Sequence, residues 1–406
     1  MNKDGTEIVA SDYEVWQKVD KEDLLSVSAY LQRYGHSQYA EVAKAIIEEL
    51  RERELAQMRD NTLNYPANKL KMLLHEGVFT EDDIINLGVA THESLRLLRE
   101  IDWDSFPNFR QAIEDTKIEC RPDATDVFFF GSLCVGKSTM LCGLSLSKLI
   151  HFNTASPAGP YIQFLRSMAD LGLVCPRTPG NFVPALEASA KTEGDKVLQF
   201  NFITSPGEEF VEINSNNNEV IDFKEMKSQS CKFLCNDNRK IIFLVIDPTC
   251  NTIQFCHERI SGYDEVTGQP ITYVKKNVLN QQVLITHMVD LLNNPVNADL
   301  LKKVDAIHFI ITRADRLGAT PEERQDRIRE IVEQYHEPLE ILSDICKKYR
   351  INQATDHQPT VYTHSIGRFY IGNVYVYDSA DSDELVRIIC ESARPSRNWF
   401  AKILNL

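Results

Sequence analysis

The stretch Asp126-Val-Phe-Phe-Phe-Gly131-Ser-Leu-Cys-Val-Gly136-Lys137-Ser138-Thr139 decides how the rest of this 406-residue chain reads. Asp126 to Phe130 form a short apolar, aromatic run of the kind that makes a buried strand. Gly131 to Ser138 match G-x-x-x-x-G-K-[ST], and Met140-Leu-Cys-Gly-Leu144 continues as an apolar helix, so the pattern has the strand before and helix behind that it needs. The glycines let successive backbone N–H groups curl round a phosphate at a helix N-terminus, where the dipole favours anions. Gly131, Ser132, Leu133, Cys134, Val135, Gly136, Lys137, Ser138 and Thr139 are therefore candidate phosphate-binding residues. Lys137 is placed to reach the β and γ phosphates of a nucleotide as a catalytic cation, and Ser138 to ligate Mg²⁺.

Outward from this loop the texture is short apolar strands separated by helical stretches: Asp126 to Phe130, Lys196 to Ile203, Lys240 to Ile246, Ala306 to Thr312 and Pro359 to Thr363. Continuous apolar strands imply a mainly parallel sheet covered by helices on both faces. The fold class expected is an α/β P-loop domain, over 119–406, preceded by an all-helical region.

Four later units follow the loop in order. Val197 to Ile203 run into Thr204-Ser-Pro-Gly207-Glu208, Ile241 to Ile246 into Asp247-Pro-Thr249, Ile307 to Ile311 into Thr312-Arg313-Ala-Asp315, and Val361-Tyr-Thr-His into Ser365-Ile-Gly367. This series resembles the translation-factor-related (Ras- and dynamin-like) superclass of P-loop GTPases over roughly 120–395. The resemblance implies GTP or GDP with Mg²⁺ as cofactors, Gly207 of the second-switch motif as a nucleotide-binding residue, Thr312, Arg313 and Asp315 as the guanine-specificity motif, and Ser365 in the last base-contacting loop. An aspartate at 315 can accept two parallel hydrogen bonds from guanine N1–H and N2–H, which adenine does not offer; the alternative is that Asp315 caps the following helix. Arg313 stands where the family has lysine, and the two are not interchangeable.

Thr204 occupies the position of the family's second-switch aspartate, which leaves magnesium binding and hydrolysis open. Glu208 sits where a water-positioning residue is common and is a candidate catalytic group or a plain surface glutamate. Leu133 would crowd an arginine entering the site. Thr178, between prolines in Pro176-Arg177-Thr178-Pro-Gly180, is the candidate first-switch metal ligand or else a turn residue; 151–190 has no rigid landmark. Arg177 is a candidate charge-stabilising arginine. The competing readings are a P-loop ATPase with Asp247 as its metal-site acid, and a nucleotide-binding scaffold without turnover.

Ahead of this domain, 1–58 reads as a helical hairpin like one tetratricopeptide unit, or else a plain helical cap with core aromatics, and 59–118 as short helices begun by Thr80 and Thr91. Helical modules of this type bind proteins, so an unidentified protein partner is expected there. A hairpin insertion is expected near 250–278, with a helix from Leu279 to Leu292. The 59 acidic residues exceed the 44 basic ones, for a net charge of −15, which argues against nucleic acid. No apolar run approaches a spanning helix and no signal pattern opens the chain, so a cytoplasmic protein without a transmembrane segment is expected. The ten cysteines match no common zinc spacing; Cys231, Cys235, Cys250, Cys256 and His257 are the one conceivable set, and reduced, packed thiols are the plain reading.

Overall fold

The structure, a computed structural model, describes residues 12–101, 108–176, 178–179, 182–192, 195–207, 222–226, 228–249, 252–263 and 270–393, with backbone alone for 252–263 and 270–279. Two compact units are present. One comprises Met1–Phe106, Leu171–Val174 and Phe369–Val376, the other Pro107–Asp170, Cys175–Arg368 and Tyr377–Leu406.

The first unit is helical: α1 (Asp12–Lys18), α2 (Leu24–Arg33), α3 (Ala40–Asp60), α4 (Ala67–His75), α5 (Glu81–Asn86) and α6 (His92–Glu100). Trp16 of α1 is buried between Tyr30 and Tyr39, ring centroids 4.8 and 5.5 Å away. Thr80 and Thr91 each accept from the backbone N–H three residues on while Asp83 and Ser94 reach back, so α5 and α6 both start with reciprocal caps. The two later strips of chain are bonded into this unit. The Tyr375 N–H donates to Gly172 O (2.8 Å), the Ile371 N–H to Val89 O (3.0 Å), and Leu173 bridges Val374. Gly172 has φ +65°, and a Cβ there would stand 2.4 Å from Tyr375 O, so only glycine fits.

The second unit is an α/β P-loop domain. After α7 (Phe109–Asp115) come β1 (Thr125–Phe130), α8 (Lys137–Leu146), β2 (Ile150–Phe152), α9 (Gly159–Asp170), β3 (Ala185–Lys191), β4 (Val197–Thr204), α10 (Gln229–Cys235), β5 (Arg239–Ile246), β6 (Thr252–Tyr263), β7 (Pro270–Asn280), α11 (Gln281–Asn293), α12 (Ala298–Leu301), β8 (Val304–Thr312), α13 (Pro321–Gln334), α14 (His336–Tyr349) and β9 (Val361–His364). The short strands β10 (Gly367–Phe369) and β11 (Tyr375–Tyr377) pair with each other, and α15 (Ala380–Ser392) closes the described chain.

Seven strands form one sheet in the order β2-β3-β4-β1-β5-β8-β9. β4, β1, β5, β8 and β9 are parallel, while β3 runs antiparallel to both β2 and β4. The five expected apolar runs fall on β1, β4, β5, β8 and β9. Alternation sorts their side chains: Phe128, Phe130, Ile242, Leu244, Ile307 and Phe309 pack with Leu284 and Met288 of α11 and Ile345 of α14, whereas Phe129, Phe202 and Phe243 stack together on the other face. β6 and β7 pair antiparallel where the hairpin insertion was expected. The stretch from 151 to 190, expected to lack a landmark, holds α9 and β3.

Candidate phosphate site and base cavity

β1 delivers the chain to Gly131 and α8 begins at Lys137, so the G-x-x-x-x-G-K-[ST] segment spans the turn between them. Cys134 (φ 59°) and Gly136 (φ 90°) carry the left-handed backbone that curls the loop. A Cβ at Gly131 would stand 2.5 Å from Val245 O, so β5 passes too close for any side chain. The buried Lys137 ammonium donates to the carbonyls of Gly131 and Ser132, each at 2.7 Å, bridging the loop it belongs to. Ser132 Oγ, 1% exposed, has no hydrogen-bond partner.

β8 braces the loop from the side. The Thr312 hydroxyl is shared between Val135 O (2.8 Å) and Ile246 O (3.1 Å), so it ties strand to loop. Arg313, held at φ 56°, donates to Thr249 Oγ1 (2.9 Å) and Cys134 O (3.3 Å) and lies 3.1 Å from Asp247 Oδ2. The other oxygen of Asp247 accepts from the N–H and hydroxyl of Thr249, at 2.8 and 2.7 Å. Both carboxylate oxygens of the ATPase reading's metal acid are thus engaged by the protein itself.

Two further segments reach the loop. β4 ends at Thr204, and Gly207 beyond it lies so close that a Cβ would stand 2.5 Å from Leu133 N. Thr204 Oγ1 is buried without a hydrogen-bond partner. From the chain before β3, Thr178 Oγ1 comes 2.9 Å from Ser138 Oγ. The fully buried Tyr161 of α9 sets its hydroxyl beside both, with no partner in hydrogen-bonding geometry. Next to this group the sulfurs of Cys142 and Cys175 are 3.1 Å apart. Tyr161, Cys142 and Cys175 carry no motif that would have singled them out. Glu208, Arg177 and Gly180 lie outside the described residues.

Octahedral Mg²⁺ with oxygen ligands at ~2.0–2.1 Å has adjacent ligands about 2.9 Å apart. The Ser138 and Thr178 oxygens, 2.9 Å apart, match one such edge. They fit a hard cation, but as neutral donors. Among the described residues no cluster of three or more His, Cys, Asp or Glu could hold a metal ion. Cys231 and Cys235 lie on α10; Cys250 and the side chains of Cys256 and His257 lie outside the described set.

A cavity of about 670 Å³ is lined by Asp315, Arg316, Arg324, Ser365, Arg368 and Asp381, among others. Asp315 sits in a single 3-10 turn after Arg313 and accepts from Ser365 Oγ at 3.1 Å. It caps no helix, since α13 is capped by Thr320. The Ser365 N–H donates to Asp381 Oδ2 at 2.7 Å, and burial pushes the Asp381 carboxyl above the usual range. Asp381, in the first turn of α15, was not foreseen.

No protein-family model matches the chain, and no curated protein matches it either. Similar solved structures include Toc33 from Arabidopsis thaliana in complex with GDP and Mg²⁺, which is 13% identical with a TM-score of 0.31, covering 77% of this chain and 97% of that one. A dimerization-deficient mutant of Toc33 is 12% identical with a TM-score of 0.32, covering 68% and 86%. The signal recognition particle receptor SRb-GTP/SRX complex from Chaetomium thermophilum is 11% identical with a TM-score of 0.29, covering 67% and 99%. Likeness this slight leaves the site to be read from its own residues. No helix among the described residues is long and apolar enough to cross a membrane.

Proposed function

We propose that this chain is a guanine-nucleotide-binding switch of the translation-factor-related GTPase superclass. The observation that carries the reading is the Asp315 carboxylate, paired with Ser365 and lining a cavity, in the same motif whose Arg313 braces the phosphate loop. In this reading the loop from Gly131 to Thr139 holds the phosphates, Lys137 neutralises β and γ oxygens, Gly207 offers its backbone N–H, and Asp315 accepts from guanine N1–H and N2–H. Ser138 and Thr178 hold Mg²⁺, which when bound neutralises phosphate charge.

Hydrolysis is slow in this reading. Thr204 brings no charge to the metal side, Leu133 blocks an incoming arginine, and Glu208 is left to orient water. GTP orders the segments of Thr178 and Gly207, its loss releases them, and a protein partner of the helical region reads the difference in the cytoplasm. Nucleic acid is no partner of so acidic a chain. The orphaned Thr204 hydroxyl also favours a second reading, a scaffold that binds nucleotide without turnover.

Titration of GTP, GDP, ATP and ADP, with Mg²⁺ and then with chelator, tests the proposal alongside Asp315→Ala. Guanine selectivity should fall about 10–100-fold in the variant, the value of hydrogen bonds to a charged group at ~1.5–3 kcal/mol. Adenine preference, or indifference to Asp315, overturns it. Single-turnover hydrolysis separates the switch from the scaffold.

A further inference from the structure

Cys142 and Cys175 have no part in holding the nucleotide, yet their placement beside it is specific. Cys142 lies on α8 four residues beyond Ser138, and one turn of helix puts both on the same face. Cys175 lies three residues before Thr178. The two pairs therefore face each other, hydroxyl to hydroxyl at 2.9 Å and sulfur to sulfur at 3.1 Å, with the Tyr161 hydroxyl near both. A disulfide needs its sulfurs at about 2.05 Å, so roughly 1 Å of approach separates this contact from a bond.

We propose that Cys142 and Cys175 form a reversible disulfide that staples the Thr178 segment to helix α8. Cys175 is partly exposed and meets the oxidant; Cys142 is fully buried and resolves the product. With hydrogen peroxide, the Cys175 thiolate displaces hydroxide to give a sulfenic acid. The Cys142 sulfur then attacks the Cys175 sulfur and displaces a second hydroxide. The two thiol protons and two hydroxides leave as two waters, the thiols having lost two electrons to the peroxide. A hydrogen bond to Cys175 and burial both hold the Cys142 thiol well above its usual pKa, which keeps it protonated until the sulfenic acid forms beside it. Once closed, the staple holds Thr178 against Ser138 whether or not a ligand is present. Its effect on nucleotide release rests on the proposed function; its formation does not.

The test uses the full-length protein treated with peroxide, alkylated and digested. A peptide linking Cys142 to Cys175, lost on treatment with dithiothreitol and absent from Cys175→Ser, is expected. Stable sulfinic acid at Cys175, or pairing with another cysteine, overturns the proposal. Limited trypsinolysis after Arg177 reads the stapling directly: cleavage should slow at least about tenfold on oxidation in the wild type but not in Cys142→Ser, since a cross-link suppresses the local opening that cleavage needs. Unchanged cleavage in protein shown to be cross-linked refutes the staple. If the linked peptide and the protection are present but neither redox form binds GDP, the cysteine proposal stands and the nucleotide reading falls.

Discussion

Arg313 and Asp247 form an ion pair 3.1 Å apart that joins the end of β8 to the end of β5 directly beside the loop from Gly131 to Ser138. The pair engages the aspartate that the ATPase reading wanted free for a metal, through the arginine that stands where the resemblance expects lysine. Asp247 is 2% exposed and Arg313 33%, so the carboxylate depends on its partner more than the guanidinium does. Arg313→Ala should cost about 2–3 kcal/mol in urea unfolding, below the ~3–5 expected for a fully buried pair. Adding Asp247→Asn should restore a good part of that loss. Strict additivity of the two substitutions would refute the coupling.

Gly207 touches the loop through its backbone. Alanine there would put a Cβ 2.5 Å from Leu133 N, so Gly207→Ala should lower stability by ~1–3 kcal/mol and displace the loop. Nucleotide affinity should drop by tenfold or more, on the order of one such displaced contact. Gly77→Ala is the control. Its φ is +66° but a Cβ meets nothing within 4 Å, so it should lose only roughly 1–2 kcal/mol, from backbone strain alone, and leave binding unchanged. Equal loss of binding in both would show that Gly207 matters only through stability.

Thr204 buries a hydroxyl without a partner where the resemblance leads one to expect an acid. Thr204→Asp should make nucleotide binding depend on Mg²⁺ by about tenfold or more, the value of ~1.4 kcal/mol from one added charge near the cation. The apo protein should be less stable, because a buried carboxylate then lacks a cation. Isothermal titration with and without chelator reads the first effect and thermal unfolding the second; an unchanged chelator response removes Thr204 from the metal side of the site.

Two buried histidines make stability depend on pH. Burial lowers both His308 and His364 to about 4 from an ordinary 6.5. His308 Nδ1 accepts from the Thr360 N–H at 3.2 Å, so protonation would also break a bond that seats the chain entering β9. The unfolded chain binds more protons than the folded one between the two values. The contribution is therefore complete above about pH 6.5 and is lost as pH falls towards 4, with a slope of up to about 1.4 kcal/mol per pH unit for each histidine. His364→Gln should flatten the acid limb of the unfolding free energy, and an unaltered limb would exclude it.

The P-loop end of the sheet was legible because β1 and α8 combine apolar runs with a glycine pattern that allows few backbones. β3 was not: Ala185-Leu-Glu-Ala-Ser-Ala-Lys191 reads as helix by propensity, and pairing along all seven residues with β4 overrides it. Thr178 could be picked only loosely, since the turn chemistry around it says nothing of Ser138 forty positions away. Asp381 was missed because an acid in the first turn of a helix needs no other reason to be there. Nothing local marks Leu171–Val174 or Phe369–Val376 as part of the helical unit; Gly172 and Tyr375, which bond there, are about two hundred residues apart in the chain.

Those two strips govern how the protein can be taken apart. Between them and the opening segment, the chain passes from one unit to the other after Phe106, Asp170, Val174, Arg368 and Val376. A deletion that discards the first hundred residues would leave two orphaned strips, one running directly into Cys175 and the other starting at Phe369. The helical unit is thus no portable cassette: part of it is encoded inside the span of its neighbour, so no single cut in the chain separates the two.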